Sequence, residues 1–332
     1  MPPTLPTTPG AGRTDGLGTV SAVPKSQSTP AKGAPKKKRG RLFRFTTATL
    51  VLIGVAGYAV HHFTTSTPQQ PGCTVTAEGR TLTLEPEQAA NASTIAAVAS
   101  SRDLPERAVT IALATSMQES GLRNLDHGDR DSKGLFQQRP SQGWGTAAQI
   151  MDPVHASNEF FDGLVKIRGY SRLPLTVAAQ KVQKSGFPQA YAKHEPDATL
   201  LASALTGRVS AALSCVTASG RTTVTGGDPA AVRARLTREF GSRVAPKALA
   251  AATHAVAVPS AAPGYEAQGA GRQRGWELAQ WAVAHAHELK VEKVSFRDRE
   301  WRASDSAKGW QKSSTRTGSP TAAGDVTITV AQ

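Results

Sequence analysis

The sequence predicts a mainly α domain followed by a small α+β module, both carried behind a single N-terminal transmembrane helix. Three observations carry this. An apolar run with a basic flank lies near the start, helical periodicity with caps dominates the middle, and short alternating strands beside one amphipathic helix close the chain. The implied organisation is a disordered basic cytoplasmic tail over 1–41, an anchor over 42–63 and a linker over 64–72. The mainly α domain follows over 73–218, then a linker with one helix over 219–270 and the α+β module over 271–332.

The anchor is read from "KKKRGRLFR" (Lys36 to Arg44) set against "FTTATLVLIGVAGYAV" (Phe45 to Val60). A helix crossing about 30 Å of hydrocarbon needs roughly 20 residues, so His61, His62 and Phe63 extend the span to the interface. The basic flank predicts an amino-terminal side in the cytoplasm and export of everything after Phe63. Cleavage after Gly57-Tyr58-Ala59, giving a secreted protein, is the alternative. Residues 1–35 are rich in Pro, Thr, Ser and Gly and bury too little to order themselves.

The net charge of +14 suggests nucleic acid until it is divided along the chain. Residues 1–71 carry +8, residues 72–220 are neutral, and residues 221–332 carry +6. A neutral central domain and an exported topology argue against a nucleic-acid partner, and the first basic cluster suits anionic lipid headgroups. Cys73 and Cys215, the two cysteines, bracket the neutral segment on the exported side, which predicts a disulfide joining its ends.

In the central domain, "TVTAEGRTLTL" (Thr74 to Leu84) reads as a hairpin turning at Glu78-Gly79. "EPEQAANASTIAAVAS" is an Ala-rich helix with acidic residues in its first turn. "PERAVTIALATSMQES" opens at Pro105 and stops at Gly121. Further helices are expected over Pro153 to Val165, Thr176 to Ser185, Asp197 to Leu205, and from Asp228-Pro229 to about Phe240. Ala248 to Gly271 reads as a poorly ordered Ala/Pro/Gly stretch. The terminal module combines a helix around Trp276 to Leu289, strands at Val291 to Phe296 and Glu300 to Arg302 joined at Arg297-Asp298, and a last strand "VTITV". At least one of Trp276 and Trp281 belongs to its core, and Trp301 and Trp310 are its surface candidates.

The chemistry centres on Glu119. Glycoside cleavage needs a carboxylic acid still protonated near neutral pH, able to donate to the leaving oxygen. Burial with Leu113 and Met117, and a place at the negative end of its helix, both push Glu119 in that direction.

"QESGL", followed after a loop by "GLFQQRP", resembles the signature of the goose-type lysozyme and lytic transglycosylase superfamily. The resemblance spans about residues 86–206 and implies a lysozyme-like fold. It makes Glu119 the catalytic acid and Ser120 its neighbour. Gly134, Leu135, Phe136 and Gln137 stand for the family's Gly-Leu-Met-Gln segment, with Phe in place of Met. The family's Ala-Tyr-Asn-Ala-Gly motif is altered to "VQKSG" (Val182 to Gly186), placing Gln183 at the usual Tyr and Lys184 at the usual Asn. That substitution implies the loss of a tyrosine beside the acid and a divergent branch similar to exported lysozyme-like proteins of actinobacteria.

Around Glu119, Gln137, Gln138, Arg139, Ser141 and Gln142 offer donors and acceptors for sugar hydroxyls and acetamides, and Phe136 and Trp144 offer flat apolar faces. Asp126, Asp129 and Asp131 are the candidates for a second carboxylate, which an inverting hydrolase needs and a lytic transglycosylase does not. Asp129-x-Asp131-x-Lys133-Gly134 begins like a calcium loop, but Lys133 fills a ligand position and no closing Glu follows. His127, His155 and His194 show no paired ligand spacing, so no metal and no cofactor are assigned.

The expected function is cleavage of the β-1,4 bond between N-acetylmuramic acid and N-acetylglucosamine in peptidoglycan, by a glycosidase of lysozyme or lytic transglycosylase type at the cell membrane. The alternative is a catalytically weak peptidoglycan-binding or scaffolding protein of a cell-envelope machine. The substrate partner is the glycan strand, and the sequence names no protein partner.

Overall fold

The computed structural model describes residues 71–185, 189–217, 225–249, 254–261, 270–313 and 324–332. The tail and the 42–63 segment lie outside these residues. Among those described, no helix is long and apolar enough to cross a membrane.

The chain enters through a hairpin, β1 (Gly72–Ala77) and β2 (Arg80–Leu84). Glu78 and Gly79 both take positive φ (52° and 75°), as a two-residue turn matched to strand twist requires. Strand β3 (Leu213–Val216) pairs antiparallel on the other side of β1, giving the order β2-β1-β3. The register sets Cys73 opposite Cys215, and the two form the expected disulfide across 142 positions of sequence.

Helix α1 (Pro86–Ser101) starts with a capping box, the Glu85 side chain and that of Gln88 each taking a free N–H of the first turn. Every residue from Ala89 to Ala99 is buried, so this helix is the axis of the domain and its small side chains let neighbours approach from all sides. Helix α2 (Glu106–Ser120) begins after Pro105 and ends where Gly121 turns left-handed, with its N–H on the Met117 carbonyl and that of Leu122 on Ser116. Around them lie α3 (Ala147–Ile150), α4 (Pro153–Val165), α5 (Leu175–Gln183) and α6 (Glu195–Leu205). The Asp152 carboxylate caps α4.

The remaining elements are α7 (Pro229–Phe240), β4 (Lys247–Ala248), β5 (Ala255–Pro259), α8 (Ala270–Ala284), β6 (Val291–Phe296), β7 (Arg299–Arg302), β8 (Gln311–Lys312) and β9 (Asp325–Val330). The strands form one antiparallel sheet in the order β4-β5-β9-β6-β7-β8. The stretch expected to be poorly ordered therefore contributes β5, which pairs with β9 along its whole length. Its run Ala255 to Val258 is buried on both faces, and such a strand shows no alternation in sequence.

The terminal tryptophans also depart from expectation. Trp276, Trp281, Trp301 and Trp310 are all buried, so Trp301 and Trp310 are core residues and not surface ones. Trp276 meets Phe296 and Trp310 edge-on, at 5.4 and 5.2 Å. Trp276 and Trp281 are both buried because α8 is enclosed all round from Arg274 to its end.

Residues 271–332 share their core with the helices before them, and Ser66–Gln332 form one compact unit. The fully buried Glu239 of α7 takes the Trp281 indole N–H at 2.7 Å and the Thr94 hydroxyl at 3.0 Å, and pairs with Arg235. His285 closes this cluster 3.6 Å from the same carboxylate. One buried amide, Gln280, accepts from the N–H groups of Ala212 and Leu213 at 2.8 Å and donates to the carbonyls of Ala204 and Val209. Gly207 permits the close approach: a Cβ there would lie 2.0 Å from the Gln273 carbonyl oxygen.

Candidate functional site around Glu119

Glu119 stands in the last turn of α2, half-buried, beside a segment that the helix itself holds in place. Ser116 and Ser120, one turn apart, both donate to the Leu135 carbonyl, at 3.1 and 2.7 Å. Asn91 and Gln88 of α1 hold the carbonyls of Leu122 and Gly121 just past the helix end. The acid therefore sits on a turn fixed from both sides.

Two side chains lie against the Glu119 carboxylate. The Tyr191 hydroxyl donates to Oε1 at 2.6 Å, and the Gln183 amide is near enough to favour the ionised form. Gln183 comes from the last turn of α5, and its Nε2 also donates to the Phe136 carbonyl at 2.7 Å. Tyr191 comes from the following segment, just ahead of a short 3-10 turn at Ala192–His194. Burial raises the Glu119 pKa above the usual carboxylate value, and the Tyr191 and Gln183 donors only partly offset it. Burial and the adjacent carboxylate push the Tyr191 phenol well above its ordinary range, so it stays protonated and acts as a donor.

The altered motif at 182–186 implies that a tyrosine beside the acid is lost. The structure corrects that inference: Gln183 is in contact with Glu119, and a phenol arrives from Tyr191, eight positions further on. Nothing periodic in the sequence marks Tyr191. The same segment also sends His194 to the Gln118 side chain, Nε2 to Oε1 at 3.1 Å, so neighbouring residues of α2 are held by neighbouring residues of one strap. Desolvation lowers the His194 pKa, which keeps the ring neutral at physiological pH.

The other candidates are distributed differently. Ser120 is buried and its hydroxyl is committed to backbone, making it a strut for the site. Gly134 has φ +76°, and a Cβ there would come within 2.5 Å of the Ile150 carbonyl oxygen, so it serves the turn. Phe136 is fully buried and stacks on Phe160 at 4.7 Å, which makes its ring core and leaves only its carbonyl to the site. Gln138 is buried too, donating to the Ala156 carbonyl at 3.1 Å. Gln137, at φ 48°, donates from Nε2 to the carbonyls of His127 and Gly134. Trp144 is half-buried against the core, near Gly163.

None of the three aspartates is a partner of Glu119 among the described contacts. Asp131 receives Arg139, the Ser141 N–H and the Ser141 hydroxyl, which hold it ionised far below the usual range. Asp126 pairs with the exposed His127 ring, which lowers its pKa. Asp129 is 91% exposed and lies 3.9 Å from Arg130. All three are loop carboxylates, and their partners hold Asp126 and Asp131 in the ionised form.

A separate cavity of about 410 Å³ lies between the start of α2 and α8, lined by Ser100, Glu106, Arg243, Gln273, Arg274 and Glu277. It includes none of the residues around Glu119. No curated protein matches the chain. A family model described as VldE, C-terminal domain, matches residues 253–323, the region of β5 to β8, and does not extend to Glu119.

Proposed function

We propose that this chain is a lysozyme-like glycosidase of the cell envelope that cleaves the β-1,4 bond between N-acetylmuramic acid and N-acetylglucosamine, with Glu119 as its single catalytic carboxylate. The observation that carries the proposal is the surroundings of Glu119. A half-buried carboxyl with a raised pKa, oriented by a phenol and an amide, is what proton donation to a glycosidic oxygen requires. After the bond breaks, the same group is a carboxylate and can accept a proton from the incoming nucleophile. The described partners of Glu119 are Tyr191 and Gln183, neither of them acidic, which favours chemistry through one carboxylate over a paired acid and base.

The helices around α1, with a resemblance to goose-type lysozymes and lytic transglycosylases over 86–206, support the same assignment, as does the Tyr191 hydroxyl, since the resemblance implies a tyrosine near the acid. The disulfide suits an oxidising compartment outside the cytoplasm. In this reading the 42–63 segment anchors the enzyme and limits it to wall within reach of the membrane.

The test is product analysis of purified peptidoglycan digested by the full-length chain, beside Glu119→Gln. Muropeptide release by the wild type alone supports the proposal, and a sugar end lighter by one water would identify the intramolecular route. No release by folded wild-type protein would overturn it in favour of a binding or scaffolding role.

A further inference from the structure

The cavity between the start of α2 and α8 is lined by two buried, charged side chains that the chemistry at Glu119 does not use. Arg274 and Glu277 are 5% and 7% exposed and pair with each other at 2.7 Å. Arg274 also donates to the Ser100 hydroxyl at 2.8 Å and lies over the Phe240 ring. The guanidinium is thereby committed to the protein, whereas the carboxylate is only half used. Arg274 takes Oε2, and Oε1 carries no hydrogen bond among the described residues. A carboxylate oxygen withdrawn from bulk water without a donor is costly, and this one belongs to the wall of a space of about 410 Å³.

Two more oxygens of the lining are left in the same way. Asp103 meets Arg243 through Oδ2 at 2.9 Å, leaving Oδ1, and Gln273 uses Nε2 on the Thr206 carbonyl at 3.0 Å, leaving Oε1. Glu106, by contrast, is filled by Arg208 and Thr206. Ala96, Leu104, Pro105 and Val109 add apolar surface to the same wall. Free acceptors, two of them on carboxylates, beside hydrocarbon suit a ligand that carries charged donors on an alkyl stem.

We propose that this cavity is a binding site for an aliphatic primary ammonium. Oε1 of Glu277 accepts from its N–H groups, Asp103 adds a second carboxylate from the exposed side, and the carbon chain lies against Leu104 and Val109. Glu106 opens α2 and Glu119 nearly closes it, about 20 Å further along at 1.5 Å per residue. The site is therefore separate from the acid, and its occupancy does not depend on the glycosidase reading.

The test is an NMR titration of the full-length protein labelled at leucine and valine methyls. The probe is n-butylammonium chloride, with n-butanol and sodium butyrate as chain-matched controls at constant ionic strength. Butylammonium should move the Leu104 and Val109 methyls saturably, in the millimolar range expected for so small a ligand, and leave those of Leu113 in place. Butanol and butyrate should bind at least about tenfold more weakly, since each lacks the charged donor. Glu277→Gln should weaken butylammonium about tenfold, and the exposed Asp103→Asn about threefold. The second variant keeps the test available if loss of the Arg274 partner prevents folding. Nα-acetyl-lysine amide presents the same ammonium on a peptide side chain. Shifts of the same methyls with it would identify the source as a peptide, and none where butylammonium binds would identify a free amine; the site stands in both cases.

Butanol as effective as butylammonium would overturn the proposal, as would unchanged affinity in the folded carboxylate variants. Methyls that no probe moves would overturn it equally, and would leave the reading of Glu119 untouched.

Discussion

The hydroxyl of Tyr191 lies 2.6 Å from Oε1 of Glu119, although 72 positions of sequence separate the two residues. The contact joins the end of α2 to the strap after α5, and it couples the acid to a group that cannot lose its own proton under physiological conditions. Chemistry at Glu119 therefore depends on how firmly that strap is held, which Arg107 assists through its ion pair with Glu195.

The raised pKa of Glu119 has a consequence for stability. A carboxyl whose folded pKa exceeds its unfolded value binds protons more tightly when folded, so its contribution weakens as pH rises from about the unfolded value through the folded one. Glu119→Gln should match the wild type below about pH 4, near the ordinary carboxyl value. At neutral pH it should be more stable by on the order of 1 kcal/mol. Its glycan release should fall by about 10²-fold or more. Thermal melts across this range, beside turnover, check both, and a variant less stable at neutral pH would show that the site carries no such cost.

Glu239 shifts in the opposite sense. Burial alone would raise its pKa, but His285, Arg235 and the Trp281 N–H together bring it down to about 2. The stabilisation is present above the unfolded carboxyl value and is lost as pH falls toward about 2. Glu239→Ala should cost about 3–5 kcal/mol at neutral pH, because it leaves Arg235 and His285 facing a buried void. Urea titrations at neutral pH and at pH about 3 should show that difference shrinking in acid.

The disulfide predicts a large effect of reduction. Opening a loop between Cys73 and Cys215 should lower stability by about 2–5 kcal/mol. Denaturant midpoints with and without dithiothreitol measure it, with Cys73→Ser/Cys215→Ser as the permanent form. Equal midpoints would mean that the three-stranded sheet is held by its ladder alone.

Trp144 provides an optical check. With the other four tryptophans at 8% exposure or less, quenching by acrylamide should fall mainly on Trp144. Trp144→Phe should remove most of the quenchable fluorescence, and a persistent accessible fraction would mean that the terminal tryptophans are less enclosed than described.

Much of the helical half was legible in the sequence because its signals are local. Asp152-Pro153 and Asp228-Pro229 each announce a helix by supplying a capping carboxylate and a first-turn proline, and both helices begin there. Gly121 ends α2 for an equally local reason. Phe136 and Gln138 were read as sugar-facing because composition does not reveal which neighbour covers a ring or an amide; Phe160 and the Ala156 carbonyl do so. Strand β5 was missed because its partner, β9, arrives some seventy residues later. Tyr191 was missed because its place beside Glu119 depends on the path of a strap and on no periodic pattern.

The amide of Gln280 bears on how the protein can be divided. A fragment ending near residue 218 would keep Glu119 and both cysteines, yet it would lose the group that satisfies the N–H of Ala212 and Leu213 and the carbonyls of Ala204 and Val209. It would also lose the Trp310 indole from the Leu213 carbonyl. Residues before and after the Gly- and Thr-rich stretch thus satisfy one another's buried polar groups, and a fragment meant to isolate the acid has to run on through β9.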